Sequence, residues 1–178
     1  MNNTDNNPNY KKIYQIVKDE FLKTELFFSG PFDETYYSLR VHEMVKEIIE
    51  QIKDNCKVQQ ILVAAILHDI GKIKLDVSRL FDSNKKLDTA QDEWNKHPKL
   101  GVPIAKEILE KLGHSEEFID EVCYLIANHD QRGEKLKIKS LELKILQDAD
   151  LIADCGFAGF IRPFLYGSKF QRSVIGVQ

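Results

Sequence analysis

Six residues carry side chains suited to divalent metals, and they occur in the order His42, His68 with Asp69, His97, His129 and Asp150. Neutral imidazole combined with carboxylate suits Mn, Fe, Zn or Co rather than Ca. The His68-Asp69 pair ends the apolar run Ile61-Leu62-Val63-Ala64-Ala65-Ile66-Leu67, and Ile70-Gly71-Lys72 closes it. A histidine and a carboxylate at the end of a buried segment are costly unless paired, hydrogen-bonded or bound to metal. Taken alone, the dipeptide fits a buried ion pair or a histidine capping a core helix. The placing of the other histidines shifts the reading toward metal. Four of the five fall at the core-facing edge or end of a predicted helix, and only His114, after the Gly113 stop, reads as a surface loop residue. Ligands projecting inward from facing helices are a standard way to build a metal centre in a bundle. Successive residues on a helix point about 100° apart. His68 and Asp69 therefore share one ion only in a groove between helices, or else straddle two.

The elements that must position these residues read as helices. Residues 1–8 are Asn-rich and polar, as in a frayed tail. Apolar residues at Ile13, Ile16, Val17, Phe21 and Leu22 predict a first amphipathic helix from about Tyr10 to Phe28, broken by Ser29-Gly30-Pro31. Asp33 can cap the second, whose stripe runs Tyr37, Val41, Met44, Val45, Ile48, Ile49 and Ile52, with His42 on its border. Val58–Ile70 is apolar nearly all round; its length and its alanines favour a buried helix over a central strand. A long connection follows from Gly71 to Thr89, with one short turn around Val77–Phe81, and Thr89 is a plausible helix start. His97–Leu112 is helical with Pro98 in its first turn, and Pro103 implies a kink or two short pieces. Ser115 caps the next helix, on which Phe118, Ile119, Val122, Leu125, Ile126 and His129 share a face. Lys135–Lys139 alternates as an extended connector. Ser140 opens a last long helix carrying Asp148, Asp150 and Asp154, with Gly156 and Gly159 further along as sites of close helix packing.

Length and composition bound the alternatives. A chain of 178 residues fits one domain, here 9–178 after the tail, with 43% hydrophobic and 30% charged residues. A net charge of −3 gives no footprint for a nucleic-acid polymer. No apolar run reaches the roughly 20 residues of a membrane span, and the N-terminus lacks the pattern of a signal peptide. Cys56, Cys123 and Cys155 are dispersed, which argues against a disulfide framework or a thiolate zinc site. The expectation is a cytoplasmic protein with buried, inert thiols. Phe157–Gln178 is Phe-rich and free of acidic residues, and is expected to pack back on the domain or on a partner chain, as in a homo-oligomer.

His42, His68-Asp69 and the aspartate in Ile145-Leu146-Gln147-Asp148-Ala149-Asp150-Leu151 resemble, in order, the defining pattern of the HD superfamily of metal-dependent phosphohydrolases. His68-Asp69-Ile70-Gly71-Lys72-Ile73 and His97-Pro98-Lys99-Leu100-Gly101 are similar to parts of the HD-GYP phosphodiesterases. Asn128-His129-Asp130 stands where that subfamily has a His-His pair, and the Gly-Tyr-Pro stretch is absent. The run from Gln147 to Gly167 resembles small stand-alone bacterial HD hydrolases, so the likeness covers about residues 36–167. It implies an all-α HD-domain bundle with a metal site between helices. The implied ligands are His42, His68, Asp69, His97, His129 and Asp150, holding one or two divalent ions (Mn, Fe, Zn, Co or Mg), with two favoured.

The chemistry implied is attack of a metal-activated water on a phosphoester or phosphoanhydride of a small phosphorylated metabolite or nucleotide. Asp69 and Lys72 are the catalytic candidates; Lys72 either contacts a phosphate or is a solvated lysine past a helix end. Arg40, Arg132 and Asp154 are weaker candidates for touching substrate, and Asp148 for orienting a ligand histidine. Two other readings share the scaffold. HD-type di-iron oxygenases, similar to inositol oxygenase, use the same ligand types, and a regulatory module would bind a nucleotide without turnover.

Overall fold

The computed structural model describes residues 8–24, 33–52, 54–80, 87–131 and 140–169. Among them all regular structure is helical: α1 (Tyr10–Phe21), α2 (Glu34–Gln51), α3 (Val58–Leu67), a 3-10 turn (Ile70–Lys74), α4 (Val77–Leu80), α5 (Leu87–Trp94), α6 (His97–Lys111), α7 (Glu116–Asn128), α8 (Leu141–Ala153) and α9 (Gly156–Lys169). The fold is all-α. No helix is long and apolar enough to cross a membrane among these residues.

Helix starts follow from side-chain acceptors. Asp33 accepts from the Thr35 amide, Ser115 from Phe118 and Ser140 from Leu143, each satisfying a donor that a first helical turn leaves unpaired. α3 lies at the centre, in contact with α1, α2, α7 and α8. Every residue from Ile61 to Leu67 is buried. A helix with neighbours on all sides needs no polar face, which is why its sequence shows no amphipathic period. α2 packs on α3 and α8, while α6 packs on α7 and on the 3-10 turn.

Several expectations are corrected. α1 ends at Phe21, not near Phe28, and the Thr24 hydroxyl donates to the Phe21 carbonyl there. α3 stops at Leu67, and the chain tightens into the 3-10 turn where a loop was expected to begin. α5 starts at Leu87, before Thr89. α6 runs through Pro103 as one helix instead of two pieces. The lost amide would have paired with the Lys99 carbonyl; both residues are exposed, so water can serve that carbonyl. The expected last helix is two, because Asp154 caps α8 and Gly156 opens α9 at φ 79°. A Cβ at Gly159 would sit 1.6 Å from the Asp154 carbonyl oxygen, so these glycines serve the bend between two helices. The thiols are not buried: Cys56 and Cys123 are half-buried and Cys155 is exposed. On α9, Phe157 is 79% and Phe160 64% exposed, so these two do not pack back on the domain, the first of the two placements expected of them. Ser29-Gly30-Pro31, Lys135–Lys139, Arg132 and residues 170–178 lie outside the described residues.

Candidate metal centre

Three helix ends converge on the Asp69 carboxylate. His68 follows the last residue of α3, His129 follows the last of α7, and His97 is the first residue of α6. Each imidazole is fastened in the same way. Nδ1 of His68 lies 2.9 Å from the Ala65 carbonyl oxygen, Nδ1 of His97 2.6 Å from that of Trp94, and Nδ1 of His129 2.7 Å from that of Ile126. A carbonyl only accepts, so Nδ1 carries the proton in all three rings and Nε2 faces inward.

Asp69 stands between these Nε2 atoms. Its Oδ2 is 3.2 Å from His68 Nε2, and its Oδ1 is 3.1 Å from His97 Nε2 and 3.8 Å from His129 Nε2. Asp150, from α8, places Oδ1 3.6 Å from His68 Nε2. Asp130 comes 3.4 Å from His97 Nε2 on the exposed side. Two overlapping groups result, His68/Asp69/His129 and His97/His129/Asp130, with ligand atoms within 4.8 Å of one another in each. His68, His97, His129, Asp69 and Asp150 are all buried.

The donor set fits a divalent cation. Nε2 of His68 is buried and, among the described residues, makes no well-directed hydrogen bond, its neighbours being the Asp69 and Asp150 carboxylates. The Nε2 atoms of His97 and His129 face each other at 3.1 Å. With both protons on Nδ1, two lone pairs meet there, an arrangement that needs a cation or an extra proton between them. Imidazole nitrogens oriented by carbonyls and flanked by carboxylates are the usual surroundings of such an ion.

The electrostatics of the metal-free protein centre on a protonated His68. Burial alone would raise the Asp69 pKa, but the charges of His68 and Lys72 outweigh it and hold it well below the usual carboxylate range. Burial likewise works against ionisation of Asp150, yet the close approach and charge of His68 bring its pKa down to about 2. Burial and the neighbouring His68 charge lower His129 to about 4, so its ring is neutral at pH 7.

Of the residues singled out from sequence, five of the six proposed ligands meet here and His42 does not. Its Nδ1 lies 3.1 Å from the Leu62 carbonyl oxygen and its ring rests against Tyr10, 5.3 Å between centroids. The α2 residue at the site is instead Tyr37. Its buried hydroxyl donates to Asp150 Oδ1 at 2.7 Å and to the Asp150 carbonyl at 2.8 Å. Burial and the Asp150 carboxylate raise the Tyr37 pKa, so the phenol keeps that proton. Tyr37 and His42 are five positions apart, about 140° around a helix. Both sit on or beside the same apolar stripe, so periodicity alone could not choose; a buried phenol's need for a partner was the available signal.

Lys72 is neither solvated nor free for a phosphate. Its Nζ donates to Asp69 Oδ2 at 2.7 Å and to Glu34 Oε2 at 3.0 Å. Burial pushes its pKa down, but Asp69 and Glu34 carry it above the usual lysine value, so it stays charged. Arg40 donates to the Ala153 carbonyl and so closes the end of α8. Asp148 is exposed and lies about 200° around α8 from Asp150, on the face turned away from the buried cluster. The orienting role expected of it is corrected accordingly: Gln147, unsuspected from sequence, donates to the Asn128 and Gln131 carbonyls on either side of His129, at 2.9 and 2.8 Å. Asp154, where α8 ends, is exposed and pairs with Arg162 rather than lining the ligand face. Glu34, Asp130 and Arg162 were also not assigned from sequence.

Residues 36–153 match the family model described as HD domain. The chain is similar to a crystal structure described as a predicted HD superfamily hydrolase from an uncultured Thermotogales bacterium. The two share 27% sequence identity at a TM-score of 0.63, over 94% of this chain and 80% of that one. No curated protein matches. With the family model spanning most of the chain and the His-Asp pair at the meeting point of its helices, the protein belongs to the HD superfamily.

Proposed function

We propose that the protein is a metal-dependent phosphohydrolase acting on a small phosphorylated metabolite or nucleotide. The observation that carries this reading is the inward convergence of three fastened Nε2 atoms on the ionised Asp69 carboxylate. A bound divalent ion supplies polarisation of a phosphoryl oxygen and activation of water. His68, Asp69 and Asp150 would hold one ion, and His97, His129 and Asp130 a second, with Asp69 between them. Lys72 keeps Asp69 ionised and fixed in place, and Tyr37 does the same for Asp150. The net charge of −3 and the burial of the cluster favour a small substrate over a nucleic-acid polymer. The superfamily and a solved relative described as a predicted hydrolase support hydrolysis.

The test is turnover under strictly anaerobic conditions with Mn²⁺, across nucleoside mono- and triphosphates, cyclic nucleotides, sugar phosphates and an aryl phosphate. Release of phosphate, pyrophosphate or a phosphomonoester is expected. An inert panel, with iron-loaded protein consuming oxygen in the presence of a polyol or phosphonate, would assign an oxygenase instead.

A further inference from the structure

A line of alternating charge leads from the buried cluster to the surface. Asp69 Oδ2 binds Lys72, Lys72 binds Glu34 Oε2, Glu34 Oε1 accepts from Arg162 Nη2 at 2.8 Å, and Arg162 Nη1 reaches Asp154 Oδ1 at 3.1 Å. Arg162 comes from α9, beyond the residues matched by the family model. Its guanidinium carbon lies 4.7 Å from the centroid of the Tyr37 ring. The hydroxyl of that ring binds Asp150, a carboxylate of the cluster. Arg162 therefore stands one aromatic ring away from the metal-binding groups.

Its two partners differ in kind. The Glu34 side chain is 5% exposed, whereas that of Asp154 is 55% exposed. An ion pair to a solvated carboxylate is weak and easily exchanged, whereas one to a buried carboxylate holds its partner in place. Glu34, Tyr37 and Lys72 thus fix the position of the guanidinium, while its Nη1 edge faces an exchangeable anion. A planar fork with one edge anchored and the other on a replaceable carboxylate matches the geometry that binds phosphoryl oxygens. Lys72, committed to two buried carboxylates, cannot take that part.

We infer that Arg162 is the anion anchor of the substrate, exchanging Asp154 for phosphoryl oxygens of a phosphate next to the one held at the metal cluster. This rests on the phosphohydrolase reading for the identity of the anion, but its test does not require turnover. Pyrophosphate is titrated calorimetrically into Mn²⁺-loaded wild type, Arg162→Gln and Asp154→Asn, with metal content measured in each. Arg162→Gln should weaken binding by about tenfold or more at unchanged metal content. Asp154→Asn should tighten it severalfold, because the competing carboxylate is gone. An arginine that only pins α9 would lower the melting temperature of Arg162→Gln and leave both affinities at the wild-type value, which overturns the inference. Should Arg162→Gln fail to fold, Asp154→Asn decides alone, and unchanged or weaker binding overturns it. If a substrate is turned over, Arg162→Gln should raise KM more than it lowers kcat. Loss of pyrophosphate binding without any hydrolysis would retain the anchor and remove the hydrolase reading; hydrolysis with unaltered KM and affinity would do the reverse.

Discussion

A methyl group on Gly71 would lie 2.0 Å from the carbonyl oxygen of His97 and 2.5 Å from the amide nitrogen of Gly101. Both atoms are backbone, so neither can swing aside. This contact seats the 3-10 turn on the first turn of α6, and it accompanies the 3.1 Å approach of Asp69 to His97. Gly71→Ala is expected to destabilise the protein by about 3 kcal/mol, the upper range for overpacking. Protein that still folds should bind metal more weakly at His97. Thermal melting and metal analysis check this, and wild-type values in both would mean that the turn does not set the ligand spacing.

His42 and Tyr37 make a paired test on one helix. His42→Ala should leave metal content unchanged and cost only stability, about 1–2 kcal/mol for a lost hydrogen bond and ring contact. Tyr37→Phe removes one oxygen from the site and the phenol hydrogen bond that orients Asp150. A loss of roughly 10- to 100-fold in metal affinity or activity is expected, as for other groups that orient a ligand. Metal loss in His42→Ala with a silent Tyr37→Phe would reverse the assignment.

Metal binding should release protons. Burial disfavours the charged form of His68, but Asp69 and Asp150 raise its pKa well above the usual 6.5, so the metal-free protein holds a proton there. The unfolded chain loses that proton near pH 6.5. Its contribution to metal-free stability is therefore complete below pH 6.5 and is lost as pH rises through the folded value. An incoming ion displaces the proton, so metal affinity rises with pH. Calorimetry in buffers of different ionisation enthalpy should show the release, and His68→Ala should abolish it. Saturation at a hundred times Kd should add about 2.7 kcal/mol of stability.

On the acid side the sign reverses. His129 is lowered to about 4, so the stability tied to its neutral ring is complete above pH 6.5 and is lost as pH falls through 4. Asp150 is lowered from 3.8 to about 2; its contribution, about 2 kcal/mol, is present above pH 4 and lost on descent through 2. Metal-free protein should thus melt highest near pH 6.5 and lose stability in two stages below it. Asp69, also held below the usual carboxylate range, adds to the lower stage. Asp150→Asn should therefore shrink that stage without removing it, and an unchanged acid limb in that variant would contradict the assigned ionisation of Asp150.

Much of the fold was legible because its signals are local. Ser115 and Ser140 announce helix starts, and the unbroken apolar run Ile61–Leu67 announces the central helix. The residues that converge at the site were legible because histidines and aspartates rarely end apolar segments without a partner. What escaped depends on contacts between distant elements. Lys72 reads as either a phosphate contact or a solvated lysine until Glu34, far along the chain, is found beside it. Arg162 follows Gly156, whose φ of 79° bends the chain after α8; a helical period carried through that glycine points the arginine elsewhere.

The same carbonyl tether recurs at His68, His97 and His129, in each case to the residue three positions earlier. Ring orientation is thus written into three short segments, each of which supplies both the imidazole and its lock. Were a divalent ion held here, its exchange for another of similar radius would need no side-chain reorganisation at these three histidines. Under the proposed function, the ion carried would follow supply and intrinsic affinity order, and protein recovered from different growth media should carry different metals in the same scaffold.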